Sequence, residues 1–289
     1  MHPHPLFEVF GIGVYPYGVF IGIGLLACII VLYLYTTKKG MPTYVQDFVF
    51  ASAIVGIGLG FGAAALWQAF FNYLASGEFE FGGITVMGGL VGGAIAFVAT
   101  YFIGGHFLFK KERKGIHIKE FNKVVRVAPI CICIAHAFGR LGCLMAGCCH
   151  GKFLSDEFVV GGIARYHYSE ALDKVTLLGY YVPTQLYEAL FLFALFGILS
   201  LLYFKGSNFT MHIYLIAYGI WRMFIEFLRD DYRGGVAESI FTPSQWMSIA
   251  FITAGIALFI IYEALNLPMF LKEKRYTKKN GEVQEVDKK

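Results

Sequence analysis

The chain has 289 residues, of which 57% are hydrophobic, 17% aromatic and only 15% charged. A soluble domain carries about 25% charged residues, so an ordinary water-soluble globule is excluded. The formal net charge of +4 is unremarkable for this length and points to no nucleic-acid partner.

The apolar residues are clustered. In chain order the long runs are Gly11–Tyr35, Phe48–Leu74, Ile84–Phe107, Val124–Met145, Leu186–Phe204, Met211–Phe227 and Gln245–Leu267. Most approach or exceed the roughly 18–20 residues that span a hydrocarbon core of about 30 Å. The runs are continuous and do not alternate with period two, so they predict helices and not a barrel. The expectation is an all-α, polytopic membrane protein with about seven transmembrane helices. Phe48–Leu74 is Gly-rich and long enough to tilt or break. Met1–Phe10 has no Lys or Arg and no small-residue cleavage site follows, so the first helix is expected to persist in the mature protein.

Positive charge sets the orientation. Lys38 and Lys39 follow the first run. Lys110, Lys111, Arg113, Lys114, Lys119 and Lys123 lie between the third and fourth, with Arg126 at the start of the fourth, and Lys205 lies between the fifth and sixth. With the tail from Lys272 to Lys289, these segments hold 17 of the 24 basic residues. Seven helices put all four segments on one side, which predicts an N-terminus outside and a C-terminus in the cytoplasm. Residues 1–271 read as a single transmembrane domain and 272–289 as a basic, disordered cytoplasmic tail. The tail is expected as a solvated topology signal, with contact to anionic membrane lipids as the alternative. Gly151–Pro183 is the one long outer segment. Gly82, Gly83, Gly88, Gly89, Gly92 and Gly93 crowd the start of the third helix, where they serve close packing or backbone approach to a lipid head group.

Polar residues inside these runs carry the functional signal, because a mid-helix Arg costs about 2.5–3.5 kcal/mol on insertion scales. Three sets stand out. His136, Arg140 and Cys143 fall at i, i+4 and i+7, one helical face, within a run that continues through Gly139, Gly142, Gly147, Cys148, Cys149, His150 and Gly151. A guanidinium among glycines suits a phosphate. Arg222, Glu226 and Arg229 repeat the spacing; they read as an ion-pair ladder, as an anion site with Glu226 holding Arg222, or as both. Gln185 and Glu188 sit one turn apart at the start of the fifth helix, where a capping arrangement with Thr184 and a site role are both open. In the expected topology all three sets converge on the outer part of the membrane.

Cys28, Cys131 and Cys133 lie in apolar runs and read as small hydrophobes. Cys143, Cys148 and Cys149 leave three readings open. The spacing C-x4-C-C-H matches none of the usual zinc patterns, so a metal site is disfavoured and no metal or other cofactor is expected. A disulfide is allowed because the outer side is oxidising. Free thiols on a glycine-rich turn are the third reading.

These residues resemble the prolipoprotein diacylglyceryl transferase family, in order and over nearly the whole chain. Tyr17-Gly18 is similar to the family's Tyr-Gly. Gly82 to Gly92 is similar to its Gly-Gly-Met-Ser-Phe-His-Gly-Gly-Leu-Ile-Gly, which aligns Gly88 and Gly89. Gly139-Arg140-Leu141-Gly142 opens its Gly-Arg-x-Gly-Asn-Phe-x-Asn-x-Glu-x-x-Gly signature and Gly151 closes it. Pro183-Thr184-Gln185-Leu186-Tyr187-Glu188 resembles Pro-Ser-Gln-Leu-Tyr-Glu, and Tyr218-Gly219 through Arg222, Glu226 and Arg229 resembles Tyr-Gly-x-x-Arg-x-x-x-Glu-x-x-Arg.

The resemblance implies a seven-helix bacterial plasma-membrane enzyme that moves the diacylglyceryl group of phosphatidylglycerol to the lipobox cysteine thiol of a prolipoprotein, releasing glycerol phosphate. Arg140 and Arg222 would hold the phosphate. With Met87 in place of the family's His, His136, with Glu226 second, is the candidate to replace the base that the thiol requires; an imidazole satisfied by a helix carbonyl is the alternative for His136. Tyr17, Gly88, Gly89, Gly139, Gly142, Cys143, Gln185, Glu188 and Arg229 would bind substrate. The chain also departs from the pattern. Met87 stands where the family has a His, Cys143 and Cys148 where the signature has its first Asn and its Glu, and Ala146 where it has its second Asn. The second-helix Gly-Arg falls near Gly62-Ala63-Ala64, without an Arg. The alternatives are therefore a paralogue that transfers a phospholipid-derived group to another acceptor, or a non-catalytic lipid-binding or thiol/metal membrane protein.

Overall fold

A computed structural model describes residues 5–9, 12–77, 80–81, 86–110, 113–169, 174–229, 241–264, 275–279 and 282–286. The chain divides into two compact units, residues 1–32 with 125–289, and residues 33–124.

The long helices are α1 (Pro16–Lys38), α2 (Thr43–Ser76), α3 (Val86–Ala99), α5 (Ile116–Ala146), α6 (Thr184–Phe204), α7 (Thr210–Glu226) and α8 (Pro243–Ala264). A π-helical turn, Thr100–Gly104, joins α3 to the short α4, Gly105–Leu108. Among the described residues, six helical stretches are long and apolar enough to cross a membrane; α7, with 17 residues, is not among them. This is the expected polytopic helical architecture. The Gly-rich second run does not break, because α2 is continuous over 34 residues. The fourth long helix begins at Ile116, earlier than its apolar run, so Lys119, Lys123 and Arg126 lie in its first turns and not in a loop.

In the unit formed by residues 33–124, glycines set the approach of α2 to α3. A Cβ on Gly60 would lie 3.0 Å from the Gly89 carbonyl, and one on Gly88 would lie 2.6 Å from Trp67 Cβ. Only a missing side chain permits that separation. Gly88 and Gly89 thus act as packing positions within this unit. At the other end, the buried Tyr101 hydroxyl donates to the His117 carbonyl at 2.7 Å. Gln46 Nε2 donates to the Thr36 and Thr37 hydroxyls at 3.0 and 2.8 Å.

The larger unit carries the polar sets. Gly24 on α1 packs against α5, where an added Cβ would lie 3.0 Å from the Ala135 carbonyl. Gly219 and Gly255 allow the same closeness between α7 and α8, against Ser248 O at 2.9 Å and His212 O at 3.2 Å. Ile130, Leu192, Leu199 and Ile225 are fully buried between the helices. The buried Arg126 lies over the Tyr203 ring at 5.3 Å, and its carbonyl accepts the Thr210 hydroxyl at 2.8 Å. Burying the stem and stacking the guanidinium is how an Arg is accommodated at a helix contact.

The segment between α5 and α6 carries regular structure. Phe153–Ser155 (β3), Ile163–Ser169 (β4) and Lys174–Tyr181 (β5) form an antiparallel sheet in the order β3-β5-β4, with a bulge at Arg165/Tyr166. Near the N-terminus, Phe7–Val9 (β1) pairs with Ile12–Val14 (β2). Arg275–Lys279 (β6) pairs with Glu282–Val286 (β7), a pairing that the charge-rich composition of the tail does not signal.

Candidate active site

The first polar set builds its face as the spacing predicts, because α5 runs unbroken through Pro129 to Ala146. His136, Arg140 and Cys143 follow one another along it. Arg140 Nε–H donates to His136 Nε2 at 3.2 Å, and Arg140 Nε forms an ion pair with Glu188 Oε2 at 3.0 Å. Glu188 is fully buried on α6 and is the hub: its Oε1 also accepts the Tyr218 hydroxyl of α7 at 3.0 Å and lies 3.8 Å from His136 Nε2. The His136 ring meets the Tyr218 ring edge-on at 5.4 Å. A nitrogen that accepts from a guanidinium is unprotonated, so His136 is the neutral tautomer carrying its hydrogen on Nδ1. Its free lone pair is committed to Arg140.

The second set forms an adjoining network. Arg222 Nη2 pairs with Glu226 Oε2 at 3.0 Å, one turn on, and donates to the Ser244 hydroxyl at 2.8 Å. Glu226 Oε1 accepts the Thr242 hydroxyl at 2.9 Å. Arg222 also acts electrostatically on Glu188 and His136, so the two networks share one field. Thr242 and Ser244 escaped the sequence reading. A signal was present: Thr242-Pro243-Ser244-Gln245 is a capping box, in which Gln245 Oε1 takes the Thr242 N–H at 2.9 Å and Thr242 Oγ1 takes the Gln245 N–H at 3.3 Å.

Two expectations need correction. Arg229 lies just beyond the helix that carries Arg222 and Glu226, because α7 ends at Glu226. The next residues close with tightened bonds, ending with Arg229 N–H to the Glu226 carbonyl at 3.1 Å. The buried Arg229 instead acts on Cys149. Nor do Thr184, Gln185 and Glu188 cap α6, whose start has no side-chain cap. The Thr184 hydroxyl donates to the Cys149 carbonyl at 2.9 Å and Gln185 Nε2 to the Cys148 carbonyl. The start of α6 holds the end of the α5 segment.

That segment turns back by a Schellman motif. Gly147 takes φ of 75°, Cys148 N–H bonds to the Cys143 carbonyl at 3.2 Å and Gly147 N–H to the Leu144 carbonyl at 3.3 Å. Residue 148 therefore returns beside residue 143. Cys149 then adopts φ of 59°, the left-handed region that non-glycine residues rarely enter. Gly151 passes through a crevice with no room for a side chain, where an added Cβ would lie 2.5 Å from the Leu228 carbonyl. Its N–H bonds to the Val182 carbonyl at 2.8 Å. The Sγ atoms of Cys143, Cys148 and Cys149 consequently lie within 4.8 Å of one another, and all are free thiols. The Cys143 and Cys148 thiols hold the Cys149 thiol below its usual range, and Arg140 and Arg229 add to the effect. For Cys148 the Cys143 thiol pulls downward, but the Cys149 thiol and burial outweigh it and push the group up.

The remaining candidates fall as follows. Gly142 lies against Tyr17, where an added Cβ would lie 3.2 Å from its Cδ2 and carbonyl; Gly139 borders open space. Tyr17, Gly139, Gly142, Cys143, Gln185, Glu188, Arg222, Glu226 and Arg229 all belong to the unit that holds Arg140, and Gly88 and Gly89 to the other. Met87 is on α3, but its side chain lies outside the described residues.

Comparisons with known proteins follow this geometry. A family profile described as prolipoprotein diacylglyceryl transferase matches residues 4–261. A phosphatidylglycerol–prolipoprotein diacylglyceryl transferase of Clostridium tetani is 32% identical over 273 residues, covering 89% of this chain and 96% of its own. The second such enzyme of Clostridium perfringens is 29% identical, covering 88% and 93%. One from Bacillus cereus strain B4264 is 28% identical, covering 86% and 87%. A profile match over residues 4–261 and a relative 32% identical over most of both chains place this chain in the prolipoprotein diacylglyceryl transferase family.

Proposed function

We propose that this protein transfers the diacylglyceryl group of phosphatidylglycerol to the cysteine thiol of a prolipoprotein. The observation that carries the reading is the alignment with named transferases over most of both chains, which runs through Arg140, Glu188 and Arg222. The acceptor sulfur attacks the glyceryl carbon, the carbon–oxygen bond breaks, and glycerol phosphate leaves with the electron pair. A leaving phosphate is stabilised by fixed cations in a water-poor site. Arg140 and Arg222 are cations fixed by buried carboxylates, which pre-orients each guanidinium. Gly139 leaves open space beside Arg140 for the head group.

In this reading α7 is the seventh span, the N-terminus is outside, and the bacterial plasma membrane supplies the lipid. The acceptor is the lipobox segment of the precursor. His136 is a poor base while Arg140 occupies its lone pair, so the acceptor thiol is activated in some other way.

Purified protein in nanodiscs with phosphatidylglycerol should raise the mass of a lipobox peptide by one diacylglyceryl group. Arg140→Ala and Arg222→Ala should each abolish transfer, and Met87→His should leave it intact. No product under conditions in which the Clostridium tetani enzyme works would overturn the proposal.

A further inference from the structure

The thiol cluster lies in the same unit as the ion-pair networks, and Arg140 acts on it electrostatically. We infer that Cys143, Cys148 and Cys149 bind a zinc ion with an open coordination position, and that the acceptor thiol is activated there. The second half of this inference rests on the transferase reading above.

The donor geometry fits. Zinc–sulfur bonds of about 2.3 Å in a tetrahedral site put the sulfurs about 3.8 Å apart. Three Sγ atoms already within 4.8 Å need only small rotamer changes to reach that separation. The backbone holds them there. The Schellman turn at Gly147 returns Cys148 to Cys143, and the left-handed Cys149 adds the third thiol. Gln185 and Thr184 fix the Cys148 and Cys149 carbonyls from α6. A sparsely populated backbone conformation held by its surroundings is a mark of functional sites.

Charge also fits. Three thiolates around a divalent ion leave one negative charge, and Arg140 and Arg229 both act on Cys149. The coordination sphere is incomplete. Among the described residues the group contains three donors, and three protein ligands with a free fourth position are the pattern of catalytic zinc. His150 is turned elsewhere: its Nδ1 lies 2.9 Å from the Gly151 carbonyl and its ring packs on Tyr181 at 4.4 Å. Cys148 is exposed, so the open position is accessible.

The chemistry supplies what Met87 cannot. A thiol that coordinates zinc is deprotonated. The acceptor R–SH would take the open position and release its proton to solvent. Its sulfur would then form the bond to the glyceryl carbon as the carbon–oxygen bond breaks, and glycerol phosphate would depart with the electron pair. No atom changes oxidation state, and the thioether product, a weaker ligand than thiolate, leaves the zinc.

The test uses the full chain, reduced and in nanodiscs. Zinc should bind stoichiometrically, and cobalt in its place should show thiolate charge-transfer and tetrahedral d–d bands. Cys148→Ser and Cys143→Ser should lose the metal, while Cys28→Ser keeps it. A cysteine peptide should shift the cobalt bands, and its serine analogue should not. Absence of metal binding after full reduction overturns the inference, as does a disulfide within the trio in active protein. Full transferase rate after chelation also overturns it while leaving the transferase reading standing. Metal binding and a peptide-dependent band shift without any lipid transfer would uphold the site and sink the transferase reading.

Discussion

Glu188 is the sharpest place to probe this site. Its carboxylate is fully buried, forms an ion pair with Arg140 and accepts the Tyr218 hydroxyl, each at 3.0 Å. Hydrogen bonds to charged groups contribute about 1.5–3 kcal/mol each, and breaking a buried ion pair from one side costs about 3–5 kcal/mol. Glu188→Leu and Arg140→Met should therefore each destabilise the protein by about 3–5 kcal/mol, because each strands the other charge. The double variant strands neither, so its loss should fall short of the sum by about 2–3 kcal/mol. Reversible unfolding in mixed micelles, titrated with SDS and followed by circular dichroism, measures all four corners of the cycle. Additivity within about 0.5 kcal/mol would refute the reasoning, since two residues that do not couple cannot be holding each other. Transfer rate is the second readout: Glu188→Gln keeps an acceptor for Tyr218 but frees Arg140, so activity should collapse even if most of the fold survives.

Three further outcomes follow from the segment that closes α5. Gly151→Ala places a methyl 2.5 Å from the Leu228 carbonyl and 2.7 Å from Thr184 Cγ2. The clash is with backbone, so a loss of about 1–3 kcal/mol is expected; an unchanged melting temperature would contradict the crevice. Gln185→Leu removes the donor to the half-buried Cys148 carbonyl, and the weakened acceptor should cost about 1 kcal/mol, measured by the same SDS titration. Thr242→Val removes the α8 cap and the hydroxyl that Glu226 accepts. A stability loss of about 1–2 kcal/mol is expected from the cap, together with a raised KM for phosphatidylglycerol through a loosened Arg222; a purely capping role would leave KM unchanged.

How much was legible depends on the range of each interaction. The spans were readable because a membrane demands long apolar runs, and composition reports them directly. The i, i+4 relations of His136 to Arg140 and of Arg222 to Glu226 were readable because helical periodicity fixes them locally. The end of α7 before Arg229 was not, because an apolar and charged pattern continues past the point where the backbone stops bonding as a helix. Likewise the sequence offers Thr184, Gln185 and Glu188 as a cap, and nothing local says that their partners are the Cys149 and Cys148 carbonyls and Arg140.

The cysteines draw the line most clearly. By spacing alone, Cys143, Cys148 and Cys149 match no metal pattern, because such patterns record how short loops place ligands. In three dimensions the sulfurs converge, because a left-handed Gly147 reverses the chain and a left-handed Cys149 turns it again. The sequence by itself determined a helical membrane protein, its family and the buried cations that suit a phosphate. Only the tertiary structure decided that Glu188 holds Arg140, which depends on α5 and α6 packing together, and that three thiols share one corner, which depends on the left-handed backbone at Gly147 and Cys149.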